Sequence, residues 1–242
     1  MLFETVRYSK ENHVAYLELN RPEVINAFNL QMRDELYQLL EAIRDDPEIH
    51  VVVLTGVGHQ GFSSGADLTE FGTAPSQSVA RGIRWERDLW GLLQGLRKPI
   101  MVALHGYVIG TGLEMACMCD IRIASYDTKF RMPELSLGFI PGAGGTQTIP
   151  RTIGRFRAFD LFFSHSESYL TASEALDIGL IHRVTDRSKL SSDIERLAND
   201  LANRDQDVIR AVKTAVVDGM DMDLQKGLEL ETWLAMRVRE RL

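Results

Sequence analysis

Short apolar runs alternate with stretches of helical periodicity along most of the chain. Four of these runs predict buried strands, at residues 14–19, 51–55, 100–104 and 121–124. After Asn29, apolar residues recur at steps of three and four from Met32 to Ile43, which predicts a capped helix. Further helices are predicted over residues 79–96 and 113–119. Because strand, glycine loop and helix repeat in this order, we expect an α/β protein with a largely parallel sheet.

The pattern changes after about residue 185. Three amphipathic helical patterns follow, with apolar faces that begin near Leu190, Val208 and Leu224. Such faces must pack on the core or on a neighbouring subunit. The sequence therefore predicts an α/β core over residues 1–185 and a helical oligomerisation region over residues 186–242, with a linker at 186–189.

Composition agrees with a globular protein, since 45% of the residues are hydrophobic and 25% are charged. A net charge of −7 disfavours binding to nucleic acid. No apolar run approaches the roughly 18 residues of a membrane span, and the first residues lack the pattern of a secretory signal. The two cysteines, Cys117 and Cys119, are expected to be buried free thiols in a reducing cytoplasm. The six histidines have no metal-like spacing, so no metal is expected.

Glycine-rich loops follow the predicted strands, and several kinds of chemistry compete for them. The loop at 110–112 stands where a dinucleotide-binding loop would stand, but Met115 replaces its third glycine and Glu114 would repel a pyrophosphate. Residues 61–65 match the nucleophile elbow of serine hydrolases, yet several loop residues separate them from the preceding strand. No loop ends in the Lys-Ser or Lys-Thr of a phosphate-binding P-loop.

Another interpretation uses these loops as backbone hydrogen-bond donors. The loops at 64–67 and 110–112 would direct free amides at one developing oxyanion. Glu114 is the only charge in the apolar segment 113–119, and Glu134 follows Pro133 before another glycine loop. Two carboxylates beside an oxyanion hole suit acid–base chemistry next to a thioester carbonyl. Structural roles stay open for both, as a buried acid bonded to backbone for Glu114 and as a surface acid for Glu134.

Four segments carry a family resemblance by their order and spacing. They are residues 19–22 (Leu-Asn-Arg-Pro) with 26–29 (Asn-Ala-Phe-Asn), residues 62–68 (Phe-Ser-Ser-Gly-Ala-Asp-Leu), residues 106–121, and residues 130–147. These segments resemble the signature stretches of the crotonase superfamily, the enoyl-CoA hydratase/isomerase proteins, and the resemblance covers about residues 3–235. It implies a crotonase-like spiral of ββα units with a helical C-terminal trimerisation region, assembled as a homotrimer or a dimer of trimers.

The resemblance also implies an acyl-CoA thioester substrate and a set of site residues. By motif position, the amides of Ala66 and Thr111 form the oxyanion hole, although family members generally have glycine at the second position. Glu114 and Glu134 stand at the two catalytic positions of hydratases. The predicted substrate-binding residues are Ala27, Gly65, Asp67, Leu68, Gly110 and Gly142. No separate cofactor is expected, because coenzyme A is part of the substrate.

The predicted reaction is syn addition of water to a trans-2-enoyl-CoA, which gives a 3-hydroxyacyl-CoA. Glu114 would hold and deprotonate the water, and Glu134 would protonate Cα. A double-bond isomerase and an acyl-CoA thioester hydrolase remain alternatives on the same scaffold, and an RNA-binding relative is disfavoured by the acidic charge. Relatives often carry basic residues near the coenzyme A phosphates where this chain has Glu23 and Thr69, so Arg97 and Lys98 are considered as substitutes. The acyl pocket is predicted along residues 71–90.

Overall fold

The computed structural model describes residues 3–76, 78–79, 82 and 86–239. The strands are β1 (Val6–Glu11), β2 (Val14–Leu19), β3 (Val51–Gly56), β4 (Gly61–Ser63), β5 (Ile100–Leu104), β6 (Tyr107–Ile109), β7 (Ile121–Ser125), β8 (Lys129–Arg131), β9 (Leu170–Thr171) and β10 (Arg183–Thr185). The helices are α1 (Leu30–Asp45), α2 (Leu89–Gly95), α3 (Thr111–Cys117), α4 (Gly145–Ile153), α5 (Arg155–Phe163), α6 (Ala172–Asp177), α7 (Leu190–Ala202), α8 (Gln206–Gly219) and α9 (Leu224–Arg239).

The strands form two sheets, and from β3 to β8 the chain alternates between them. The larger has the order β1-β2-β3-β5-β7-β10, and the smaller has the order β4-β6-β8-β9. Both are parallel except for the β1–β2 and β8–β9 pairs. Three times in succession, a strand of the larger sheet is followed by a strand of the smaller sheet and then by a helix. Each repeat moves one position along both sheets, which confirms the predicted spiral of ββα units.

The predicted strands are covered on both faces, as their continuous apolar runs require. On one face, Val52, Leu54 and Val102 belong to a core cluster that also holds Leu36 and Leu40 of α1. On the opposite face, a second cluster joins β3, β5 and β7 to the buried side of α7. Helix α7 begins just after the predicted boundary at residue 185, which itself stays a prediction, and the predicted linker contains a single 3-10 turn at Arg187–Lys189.

Local capping decides where the helices begin. The Asn29 side chain accepts a hydrogen bond of 2.9 Å from the amide of Met32, which confirms the predicted start of α1. The helix predicted over residues 79–96 is interrupted at residues 87 and 88, and residues 80, 81 and 83–85 of the predicted range lie outside those described. Asp88 lies outside helical geometry and accepts a hydrogen bond from the amide of Gly91, so a separate helix, α2, begins at residue 89. Periodicity alone does not show this break, because the apolar spacing continues through it.

The C-terminal helices α8 and α9 pack on each other. Polar contacts, from half-buried to exposed, attach α8 to the segments that lead into β5 and β7. The Lys213 ammonium lies 2.7 Å from the Asp120 carboxylate and also donates to the carbonyl of Lys98. The Arg97 guanidinium binds both carboxylate oxygens of Asp218, at 2.9 and 3.1 Å. None of the helices within the described ranges combines the length and the hydropathy of a membrane span.

We expect Lys213→Met to lower the free energy of unfolding by about 2 kcal/mol. The change leaves the Asp120 carboxylate, which also accepts from the amide of Ile100, without its charged partner. Lys226→Met is the matched control, because Lys226 forms an exposed pair with Asp223 on α9 and should cost less than about 0.5 kcal/mol. Urea denaturation measures both, and equal midpoints for the two variants would contradict this account of how α8 is held.

Candidate active site

Three loops meet at one edge of the smaller sheet. Strands β4, β6 and β8 are parallel neighbours, and the carboxyl ends of parallel strands lie at the same edge. Ile109 pairs with Arg131 at the ends of β6 and β8, and the amide of Gly110 donates to the Arg131 carbonyl at 2.9 Å. Gly65, after β4, lies so close that a Cβ there would be 3.0 Å from the carbonyl oxygen of Ile109. The sheet therefore brings together the loops that carry Ala66, Thr111 and Glu134.

A cavity of about 330 Å³ opens between these loops. It brings together most of the predicted site residues, namely Gly65, Ala66, Leu68, Gly110, Thr111, Glu114, Glu134 and Gly142. Ala27 and Asp67, both predicted to bind substrate, do not line it.

The amides of Ala66 and Thr111 are both available to a ligand. Residues 28 and 66 form a parallel bridge in which Phe28 donates to Gly65 and Asp67 donates to Phe28. In this pattern the N–H of Ala66 points away from residue 28. Thr111 is the first residue of α3, where an amide has no acceptor within the helix. Within the described part of the chain, neither amide donates to another residue.

Ser63 and the fully buried Asn26 hold the first of these loops. The Asn26 side chain bonds the amide of Arg21 and the carbonyls of residues 57, 61 and 62. The Ser63 hydroxyl donates to the Asn26 carbonyl at 3.0 Å and accepts from the amide of Gly65 at 3.2 Å. On its other side, Ser63 Cβ would lie 2.7 Å from a Cβ on Gly112. Ser63 is therefore a buried spacer between the two donor loops, and its position does not fit a hydrolase nucleophile.

Asp67 and Ala27 brace the same loop from outside the cavity. The Asp67 carboxylate lies 2.9 Å from the Arg21 guanidinium, which also donates to the carbonyl of Ala27 at 2.7 Å. Hydrogen bonds from Thr69 and Arg21 lower the pKa of the Asp67 carboxyl. This network joins the first two sequence signatures and gives Asp67 and Ala27 a bracing role that their motif positions did not reveal.

Glu114 lies on α3 and has no solvent exposure. Its Oε1 accepts hydrogen bonds from the amides of Ala143 at 2.9 Å and Gly145 at 2.7 Å. A Cβ on Gly145 would lie 2.9 Å from the Glu114 side chain, so the glycine permits this close approach. Two amide donors on one oxygen orient the carboxylate and stabilise its negative charge.

Glu134 lies on the turn after β8 and is only 5% exposed, so the alternative of a surface acid is wrong. The turn is closed by a hydrogen bond of 3.0 Å from the Phe139 amide to the Glu134 carbonyl. Burial raises the pKa of the Glu134 carboxyl to about 7, and the charge of Glu114 adds to the increase. Among the described residues, Oε2 of Glu134 has no hydrogen-bond partner. Glu134 can therefore exchange a proton near neutral pH.

Apolar residues that the sequence did not assign to the site complete the cavity. Leu137, Phe139 and Ile140 lie on the turn after Glu134, and the Phe139 ring is 5.4 Å from the ring of Phe71. The sequence feature that could have identified these lining residues is the mostly apolar stretch 135–140, which lies directly between Glu134 and a glycine loop.

The remaining predicted contacts lie elsewhere or outside the described residues. Within the segment 71–90, Phe71 lines the cavity, Trp90 packs against Phe28, and residues 81, 84 and 85 are not among those described. Arg97 is paired with Asp218, and Lys98 donates to carbonyls at the end of α1. Neither lines the cavity. No cluster suited to a metal ion is present in the described part of the chain.

We expect Glu134→Gln to stabilise the protein more at pH 8 than at pH 5. Folding raises the pKa of this carboxyl from 4.5 to about 7, so its ionisation opposes folding. The free-energy cost of ionising Glu134 in the folded protein is absent below pH 4.5, grows between pH 4.5 and 7, and is complete above pH 7. The expected difference between the two pH values is about 1–3 kcal/mol in the free energy of unfolding. Glu167→Gln on the surface is the control, and equal pH dependence for both variants would contradict the burial effect.

Comparisons with known proteins match the chain as a whole to one family. The family model described as enoyl-CoA hydratase/isomerase matches residues 9–240. A crotonyl-CoA hydratase of Syntrophomonas wolfei is 31% identical over 96% of this chain and 88% of its own length. A short-chain-enoyl-CoA hydratase of Clostridium acetobutylicum is 34% identical with the same coverage. The crystal structure of an enoyl-CoA hydratase from Bacillus anthracis superposes with a TM-score of 0.91 at 31% identity, covering 98% of this chain and 91% of that one. The chain belongs to the enoyl-CoA hydratase/isomerase family.

Proposed function

We propose that this protein catalyses the reversible syn hydration of a trans-2-enoyl-CoA to a 3-hydroxyacyl-CoA. The observation that carries the proposal is the presence of two backbone donors and two buried glutamates around one cavity. Relatives named as crotonyl-CoA and short-chain-enoyl-CoA hydratases support the same reaction.

The thioester carbonyl is the part of the substrate that the two amides recognise. Attack of water at Cβ moves electron density through Cα onto this oxygen, which becomes enolate-like. Donation from the amides of Ala66 and Thr111 stabilises that charge more than the neutral carbonyl. Because the donors are fixed by the smaller sheet and by α3, they need no reorganisation during the reaction.

The two carboxylates supply the elements of water to one face of the double bond. Glu114, oriented by the amides of Ala143 and Gly145, holds the water and takes its proton as the oxygen bonds to Cβ. Glu134, with a pKa of about 7, is partly protonated at neutral pH and transfers its proton to Cα. Both carboxyl groups line one cavity, and in the proposed complex both act on the same face of the double bond, so the addition is syn. Exchange with solvent then resets both carboxyl groups.

No cofactor beyond the coenzyme A of the substrate enters this scheme. In the proposed complex, Arg97 and Lys98 do not bind the coenzyme A phosphates. Arg97 is already paired with Asp218, and Lys98 already donates to backbone carbonyls at the end of α1.

We also propose a cytoplasmic location. The two buried free thiols support a reducing compartment.

We expect Glu114→Gln and Glu134→Gln each to lower the turnover of crotonyl-CoA hydration by about 10²–10⁴-fold, because each removes one proton-transfer group. Loss of the conjugated thioester absorbance measures the rate, and Glu167→Gln should keep normal turnover. Mass spectrometry identifies the product: a gain of one water supports the hydratase. Release of free coenzyme A would instead show a hydrolase, and a moved double bond in a 3-enoyl-CoA without change of mass would show an isomerase. Near-normal hydration by either glutamine variant would contradict the two-acid mechanism.

We further propose assembly as a homotrimer or a dimer of trimers through the C-terminal helices. Support comes from apolar side chains that α8 and α9 leave exposed, among them Val212, Val216, Leu228 and Met236. Light scattering should give three or six times the 27.3 kDa mass of the chain. Leu228→Glu with Met236→Glu should lower that mass, whereas a single-chain mass for the unaltered protein would overturn the proposal.

A further inference from the structure

A second, larger cavity adjoins the one that holds the two glutamates. Its volume is about 740 Å³, and most of its walls are apolar side chains from the turn after β8 and from helix α5, such as Leu135, Phe159 and Phe163. Glu134, Thr146 and Arg155 are the polar residues among those that line it. The two cavities share three residues, Glu134, Phe139 and Ile140. The reacting end of the substrate therefore lies next to a space that an apolar acyl tail would fill.

Phe139 stands at the boundary between these cavities. Phe139 is 37% exposed and lines both of them, and its ring packs at 5.4 Å against the ring of Phe71, which lines only the smaller cavity. The Phe139 amide also closes the turn that carries Glu134. The position of the ring is thus set by the same backbone hydrogen bond that positions the catalytic carboxyl.

We propose that Phe139 determines acyl-chain selectivity by separating the catalytic cavity from the second cavity. This inference rests on the proposed function. With the ring in place, the acyl group beyond Cβ is confined to the cavity of about 330 Å³, which favours short enoyl groups. Without the ring the two cavities join, and an apolar tail extends along α5 while the double bond stays between the glutamates.

The test compares kcat/KM for crotonyl-CoA and trans-2-decenoyl-CoA in the unaltered protein and in Phe139→Ala. The ratio of kcat/KM for trans-2-decenoyl-CoA to kcat/KM for crotonyl-CoA should rise by about 10-fold or more in the variant, since apolar contacts of a few methylene groups change kcat/KM by this factor. Phe159→Ala is the matched control, because Phe159 lines the second cavity alone and its loss should leave the ratio unchanged. In the double variant Phe139→Ala with Phe159→Ala, the increase of the ratio should be smaller than in Phe139→Ala alone, because the decenoyl tail then loses a contact with Phe159 in the second cavity.

Two further measurements distinguish the role of Phe139 from a loss of folding and from a failure of the proposed reaction. Phe139→Leu, a smaller change, should shift the ratio in the same direction if the alanine variant does not fold. Dissociation constants of the saturated butyryl-CoA and decanoyl-CoA test the partition without catalysis. If the unaltered protein hydrates no enoyl-CoA, the proposed function fails, whereas a relative gain in decanoyl-CoA affinity in the variant still supports the role of Phe139. A folded Phe139→Ala protein whose ratio and relative affinities stay within about twofold would overturn it.

Discussion

Parallel pairing of three short strands is the constraint on which the site depends. Strands β4, β6 and β8 have only three residues each, yet their pairing places three loops at one edge of the smaller sheet. The amide donors and Glu134 come from these loops, and Glu114 follows one turn later on α3. The larger sheet, covered by helices on both faces, supplies the stability that such short strands lack.

The burial of Glu134 connects stability with function. A carboxyl removed from water and set near a second acid resists ionisation, and this costs folding free energy at neutral pH. The same cost leaves a proton available for the transfer to Cα that we propose. Glu114 is likewise buried near a second acid, Glu134, but two backbone amides donate to its Oε1 and stabilise its charged form. The difference in environment, rather than in residue type, is what supports separate proposed roles for the two glutamates.

Four strands of the larger sheet, the capped helix α1 and most of the cavity lining were predictable because they depend on local pattern and on motifs with fixed spacing. Continuous apolar runs identify β3 and β5, and the glycine loops identify the donors. The break at Asp88 was not predictable, because a single capping hydrogen bond overrides an apolar period that continues through it. The roles of Asp67 and Phe139 depend on contacts with Arg21 and Phe71, which are distant in sequence.

Thr111 shows how the fold accommodates a residue at the position where the family resemblance leads us to expect glycine. The left-handed backbone that this bend requires falls on Gly110, with φ of +49°, where a Cβ would also lie 2.8 Å from the Glu134 carboxylate. Thr111 itself begins the regular helix α3, a conformation open to any L-residue. The next residue, Gly112, packs so closely on Ser63 that a Cβ there would lie 2.7 Å from Ser63 Cβ. Because Thr111 would contribute only its backbone amide, its side chain is compatible with the proposed oxyanion hole as long as Gly110 and Gly112 are retained.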